Sequence, residues 1–170
     1  MIERFLAYLA EATGCIADHY FQFPVAGVDD PIYRERVYTY ELYHQLRSRL
    51  EMDNEFEEYV LSGEVNKRGH PVIRPCAPDF VLHIPGLMTN LAVVEVKPIN
   101  ADAEGVQKDR QTLDYFVSNE VGYQCGIELV YGGTEQDLAR FIRAFAELPN
   151  TIHLYWHSRP GGLAVPIRIH

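Results

Sequence analysis

Cysteine is scarce in this chain: Cys15, Cys76 and Cys125 are odd in number, far apart and in no Cys-x-x-Cys arrangement. They signal neither a disulfide framework nor a thiolate zinc site, and read as reduced, packed thiols. Long apolar runs are missing too. No stretch approaches the ~20 residues that span a bilayer, and Met1-Ile2-Glu3-Arg4 followed by an amphipathic, acid-containing segment is unlike a signal peptide. The expected address is the cytoplasm, with no membrane partner. There is no internal repeat, low-complexity tract, Gly-rich phosphate loop or Gly-x-Ser-x-Gly elbow, which argues against P-loop and serine-hydrolase chemistry. Basic residues are in deficit as well, 15 Lys and Arg against 24 Asp and Glu, for a net charge of −9. A nucleic-acid partner would gain no global attraction, so any such contact must rest on a local basic patch and a bound cation.

What the chain does have is enough apolar material for one domain: 170 residues, 47% hydrophobic. Apolar spacing predicts helices over 2–12, 35–52, 103–118 and 135–147, the second with Val37, Leu42, Leu46 and Leu50 inward, and Asp102 and Thr134 as N-caps of the last two. Alternating or continuous apolar runs predict strands over 56–65, 78–84, 91–97, 123–131, 151–157 and 163–169, the first three as an antiparallel meander and the last two as a C-terminal hairpin around Arg159-Pro160-Gly161-Gly162. The expected fold is α/β, a single domain over 1–170 with a central mixed sheet flanked by helices. It divides into an N-terminal helix and loop (1–35), a core (36–131) and a C-terminal helix and hairpin (132–170).

Two of those strands carry charges in costly places. Pro78-Asp79-Phe80-Val81-Leu82-His83-Ile84 and Leu91-Ala92-Val93-Val94-Glu95-Val96-Lys97 read as neighbouring buried strands joined through Pro85-Gly86. A buried carboxylate needs a cation, a donor or a metal, or else it takes up a proton. Residues two apart share a face, so Glu95 and Lys97 point one way and Val96 into the opposite layer. Asp79 opens the preceding strand, and the hairpin brings it toward Glu95. Two carboxylates then converge with an ammonium, a hard-oxygen set suited to Mg²⁺ or Mn²⁺, which take one or two protein carboxylates and fill the remaining positions with water and phosphate. The ammonium is placed to orient or help deprotonate an attacking water. The plain alternative is a solvated edge-strand ion pair worth roughly 0–1 kcal/mol. Near this site Lys67, Arg68 and Arg74 surround the turn before Pro78-Asp79 and are candidates to meet phosphate. His153, Tyr155 and His157 alternate on one face, but without a third metal ligand an exposed face of the terminal hairpin is the cheaper explanation.

Pro78-Asp79 followed one hairpin later by Glu95-Val96-Lys97, behind a helix carrying Glu41, resembles the PD-(D/E)xK nuclease superfamily over about residues 36–131. The resemblance implies a restriction-endonuclease-like fold and Mg²⁺- or Mn²⁺-dependent hydrolysis of phosphodiester bonds in nucleic acid, DNA above all. It implies that Asp79, Glu95 and the Val96 carbonyl hold the metal, that Lys97 assists the water, and that Glu41 supports the site. His44 and Gln45, one helical turn from Glu41, are then placed to contact substrate or hold Glu41. Lys108 and Gln111, on the polar side of the following helix, stand where such proteins often contact phosphate or water. A homodimer or a larger nuclease assembly fits the size. The alternative is a non-catalytic nucleic-acid- or protein-binding module on the same fold.

Overall fold

The computed structural model of the protein describes residues 1–64, 77–143 and 149–168. Helix α1 (Ile2–Thr13) buries Phe5, Leu6, Leu9 and Ala12 along one face. A single turn, α2 (Asp18–Phe21), follows, and a bridge between Phe23 and Ile32 pins the loop leading to α3 (Glu35–Leu50). The buried stripe of α3 is Tyr38, Leu42, Leu46 and Leu50, every fourth residue. Tyr38 rather than Val37 anchors it, because the Tyr38 ring stacks on Tyr131 at 3.9 Å and 10°.

The first strand, expected from position 56, begins four residues later. The Asp53 carboxylate accepts the Glu55 amide at 3.1 Å and starts a 3₁₀ turn (Asn54–Phe56) that sinks Phe56 into the core. Strand β1 (Val60–Gly63) follows; the segment's expected end at 65, like Cys76, lies outside the described residues. Next come β2 (Phe80–Ile84), β3 (Thr89–Pro98), α4 (Ala103–Phe116), β4 (Cys125–Tyr131), α5 (Glu135–Ile142), β5 (Ile152–His157) and β6 (Val165–Ile167). Asp102 caps α4 through the Gly105 amide and Thr134 caps α5 in a capping box with Asp137. The stretch beyond Arg143 that the periodicity assigns to the fifth helix, Phe145 included, is outside the described residues.

The six strands form one mixed sheet in chain order. β1, β2 and β3 are antiparallel, β3, β4 and β5 parallel, and β6 returns antiparallel on β5 as the C-terminal hairpin. Alternation splits the strands between two layers. Phe80, Leu82, Val94, Val96, Ile127, Leu129 and Tyr131 pack with α1 and α3, whereas Val81, Val93, Val130, Ile152 and Leu154 pack with α4 and α5. The protein is thus a small α/β domain with a six-stranded mixed sheet between helices.

One expectation fails on the fifth strand. The face of Tyr155 and His157 is not exposed: β5 is an inner strand, and His157 is fully buried with Nδ1 2.7 Å from the Tyr38 hydroxyl. Burial pulls the imidazole down to about 4, against the Arg159 and Gly162 backbone. It is a neutral core group within an aromatic nest of Phe21, Tyr38 and Tyr131.

Candidate functional site

The β2–β3 pairing ends at Phe80 opposite Val94, two residues before Val96 needs a partner on that side. Asp79 supplies it. Its Oδ2 accepts the Val96 amide at 2.7 Å, a side chain taking the place of a strand carbonyl, and the Asp79 amide in turn donates to Glu95 Oε2 at 3.3 Å. These reciprocal bonds fix both carboxylates against the same strand end. In an extended strand a residue's carbonyl points to the same side as its own N–H. The Val96 carbonyl therefore opens toward Asp79.

Lys97 lies on the Glu95 face, its side chain 13% exposed. Its Nζ donates to Glu35 Oε2 at 2.9 Å and sits 3.0 Å from Asp109 Oδ2. The second contact is a charge contact off the hydrogen-bonding angle, so that oxygen lacks a hydrogen-bond partner. Glu35 opens α3; Asp109 belongs to the inward stripe of α4 with Val106, Leu113 and Phe116. Directly beside Glu95 in the parallel register stands Glu128, fully buried, with neither oxygen hydrogen-bonded. Five carboxylates, Glu35, Asp79, Glu95, Asp109 and Glu128, thus form one electrostatically linked cluster, and Lys97 is in direct contact with two of them, Glu35 and Asp109.

The charges respond to this crowding. Burial raises Asp79 to about 7, helped by Glu35 and Asp109 and opposed by the Val96 amide and Lys97. Glu95 is raised well above the usual carboxylate range, by burial first and then by the Asp79 charge, and Glu128 likewise by burial and then Asp109. For Lys97 burial alone would lower the pKa, but the Asp109 charge and the bond to Glu35, with that acid's own charge, outweigh it. The ammonium persists at neutral pH while the acids compete to shed charge. Such a cluster either takes up protons or accepts a cation.

The remaining sequence candidates within the described residues lie on α3 and α4. Glu41 Oε1 accepts from Gln45 Nε2 at 2.8 Å, and Arg49 Nη1 donates to the Gln45 carbonyl, a polar ladder along α3. Glu41 is six residues from Glu35, about 9 Å along the helix, and Glu35 is the α3 acid that touches Lys97. His44 is exposed. Lys108 and Gln111 are exposed on α4 and line a cleft of about 530 Å³ with Asp102, Glu104, Gly105 and Gln107. The cleft adjoins the cluster through Gly105, where a Cβ would stand 3.8 Å from Lys97 Cε. A larger hollow of about 740 Å³, lined by Tyr43, Arg47, Leu50, Phe56 and Tyr59 among others, shares none of the cluster's residues. Lys67, Arg68 and Arg74 lie outside the described residues.

Asp109, Glu128 and Glu35 were not singled out in the sequence, yet two were signalled. Asp109 interrupts the apolar stripe 106, 109, 113, 116, and Glu128 stands between Ile127 and Leu129 in a strand that otherwise reads as core. An acid in a buried pattern is the anomaly that identifies Glu95 as well. Glu35 gives no such sign, since an acid in a helix's first turn is ordinary.

No protein-family model matches the chain, and no curated protein matches it. Function must therefore come from the chemistry of the cluster.

Proposed function

We propose that the chain is a divalent-metal-dependent nuclease of restriction-endonuclease-like architecture, hydrolysing phosphodiester bonds in nucleic acid, with DNA the favoured substrate. The observation that carries the reading is the lock between Asp79 and Glu95 at the strand end that also presents Lys97. Among the described residues no three His, Cys, Asp or Glu side chains converge as a metal site. Mg²⁺ does not require three, since it binds through one or two carboxylates and keeps the rest of its shell for water and phosphate. The donor chemistry fits. Each carboxylate has one oxygen committed to a backbone amide and a second that enters no hydrogen bond among the described residues, and the acid excess favours a dication.

Asp79, Glu95 and the Val96 carbonyl would hold the ion. Bound there, a dication acidifies water and offsets charge growing on a phosphoryl oxygen. Lys97, kept as an ammonium by its two acids, is a donor to the attacking oxygen or to the phosphate and not a base. The cleft lined by Gly105, Lys108 and Gln111 offers a path for the sugar-phosphate chain. With a net charge of −9 the protein depends on the dication and such local groups for attraction, and a second copy or a partner subunit would supply what cutting both strands requires.

The test is incubation with labelled single- and double-stranded DNA and RNA, in Mg²⁺, Mn²⁺ or EDTA. Metal-dependent cutting is expected, reduced roughly 10²- to 10³-fold or more in Lys97→Ala and abolished in Asp79→Ala. Undiminished rates in both purified variants would sink the assignment. Cation binding without cutting of any substrate would favour the non-catalytic binding module. Within the reading, Glu35→Ala should slow cleavage about tenfold and Glu41→Ala much less; the reverse order would return Glu41 to the site.

A further inference from the structure

We infer that Asp109 is a positioning residue for Lys97, holding the ammonium jointly with Glu35 so that one of its three donors stays directed at the reacting phosphate or water. The inference rests on the nuclease reading for that last clause, but the clamp itself can be tested without it. An ammonium has three N–H donors. Glu35 takes one at 2.9 Å, and Asp109 restrains the group from the opposite helix at 3.0 Å. The two acids come from different layers, Glu35 from the start of α3 and Asp109 from the inward face of α4, so the lysine is fixed from both sides of the sheet end.

Asp109 is too costly to be incidental. It is 4% exposed within a stripe whose other members are Val106, Leu113 and Phe116, where a carboxylate survives only if compensated. The cation opposite it is Lys97, whose stem runs past the first turn of α4, with its Cε at ordinary contact distance from where a Cβ at Gly105 would stand. A residue present only to stabilise α4 would be better apolar, since replacing a buried ion pair with packed apolar groups is often neutral or stabilising. Keeping the acid makes sense if the position of Lys97 matters. Asp109 is not in the reciprocal lock of Asp79 with Glu95, and acts on the proposed metal ligands through its charge alone.

The chain has three lysines, Lys67, Lys97 and Lys108, so ¹⁵N-lysine labelling gives an ammonium spectrum simple enough to read. A held Lys97 gives a slowly exchanging signal, assigned by its loss in Lys97→Ala, whereas exposed Lys108 exchanges fast. Asp109→Asn, which keeps the side-chain shape, should broaden or shift the Lys97 signal; Asp109→Glu should partly restore it. In the nuclease assay Asp109→Asn should lower kcat about 10- to 100-fold, with KM and calorimetric Mn²⁺ affinity within about twofold, and the Lys97→Ala/Asp109→Asn double variant should be no slower than Lys97→Ala. An unmoved Lys97 signal in Asp109→Asn overturns the clamp, as does a rate loss that multiplies with that of Lys97→Ala. Loss of Mn²⁺ affinity would make Asp109 a ligand instead and overturn it too. Should Asp109→Asn fail to fold, Glu35→Gln at the exposed end of the clamp must move the same signal. If the wild-type protein cuts nothing, the nuclease reading fails while the ammonium spectrum still decides the clamp.

Discussion

Replacing Asp79 with Asn should stabilise the cation-free protein at alkaline pH while removing its affinity for divalent cations. In the folded chain the Asp79 carboxyl is raised from 3.8 to about 7, chiefly because it is buried. A carboxyl raised in this way favours the folded state most fully below its unfolded pKa, near 3.8, and that contribution is lost as pH climbs through about 7. The loss at pH 8 is on the order of 4 kcal/mol, equivalent to roughly 8–16 °C in Tm for a chain of this size. Asn has the volume of Asp and its Oδ1 can still accept the Val96 amide, so the strand end stays satisfied without the charge. It also relieves Glu95, whose pKa is raised in part by the Asp79 charge. Melting in EDTA from pH 5 to pH 8 should show the wild-type Tm falling and the Asn variant's falling much less. Added Mg²⁺ should restore the wild type alone, by the mass action of a ligand that binds only the folded state. Identical pH slopes in the two proteins would mean that Asp79 carries no buried charge worth relieving.

Acids buried against the fold explain why part of this cluster could be read from sequence. Asp79, Glu95 and Lys97 were visible because each breaks an apolar strand pattern, and period-two geometry then says which of them share a face. The same logic reaches Glu128 and Asp109, but only when an acid inside a core stripe is treated as an anomaly in helices as well as in strands. Glu35 was not legible. Its role depends on where the first turn of α3 meets the end of β3, a tertiary fact fixed by Tyr38 stacking on Tyr131. Glu41 entered through the family resemblance, which gives an acid on the upstream helix a supporting role, and its Oε1 accepts from Gln45 one turn along the same helix. The meander, the capped helices, the C-terminal hairpin and the mixed character of the sheet follow from patterning and turn chemistry. The late start of β1 turned on one local competition, Asp53 capturing the Glu55 amide, that propensity does not foresee.

The connection between that aromatic packing and the acids yields the second large effect: Gly132→Ala should lower Tm by about 10 °C and loosen Glu35 from Lys97. Gly132 follows β4 with φ +86, where a side chain is strained, and a Cβ there would stand 2.5 Å from the Tyr33 ring. Neither side can yield easily. Gly132 is held through its amide to the His157 carbonyl at 2.9 Å and through its carbonyl to Trp156 Nε1 at 2.8 Å. Tyr33 is wedged edge-on against Tyr131 at 5.5 Å and against Phe21 at 6.3 Å, and its hydroxyl accepts the Gly133 amide. Something must move, and Tyr33 is two residues from Glu35, so the displacement runs into the start of α3. Gly122→Ala is the control, since Gly122 has φ +76 but nothing within 4 Å of a Cβ. It should lose only the conformational share, roughly 1–2 kcal/mol, and leave the Lys97 ammonium signal in place. Equal melting losses in the two variants would show that backbone strain alone sets the cost and that Tyr33 does not transmit it to the site.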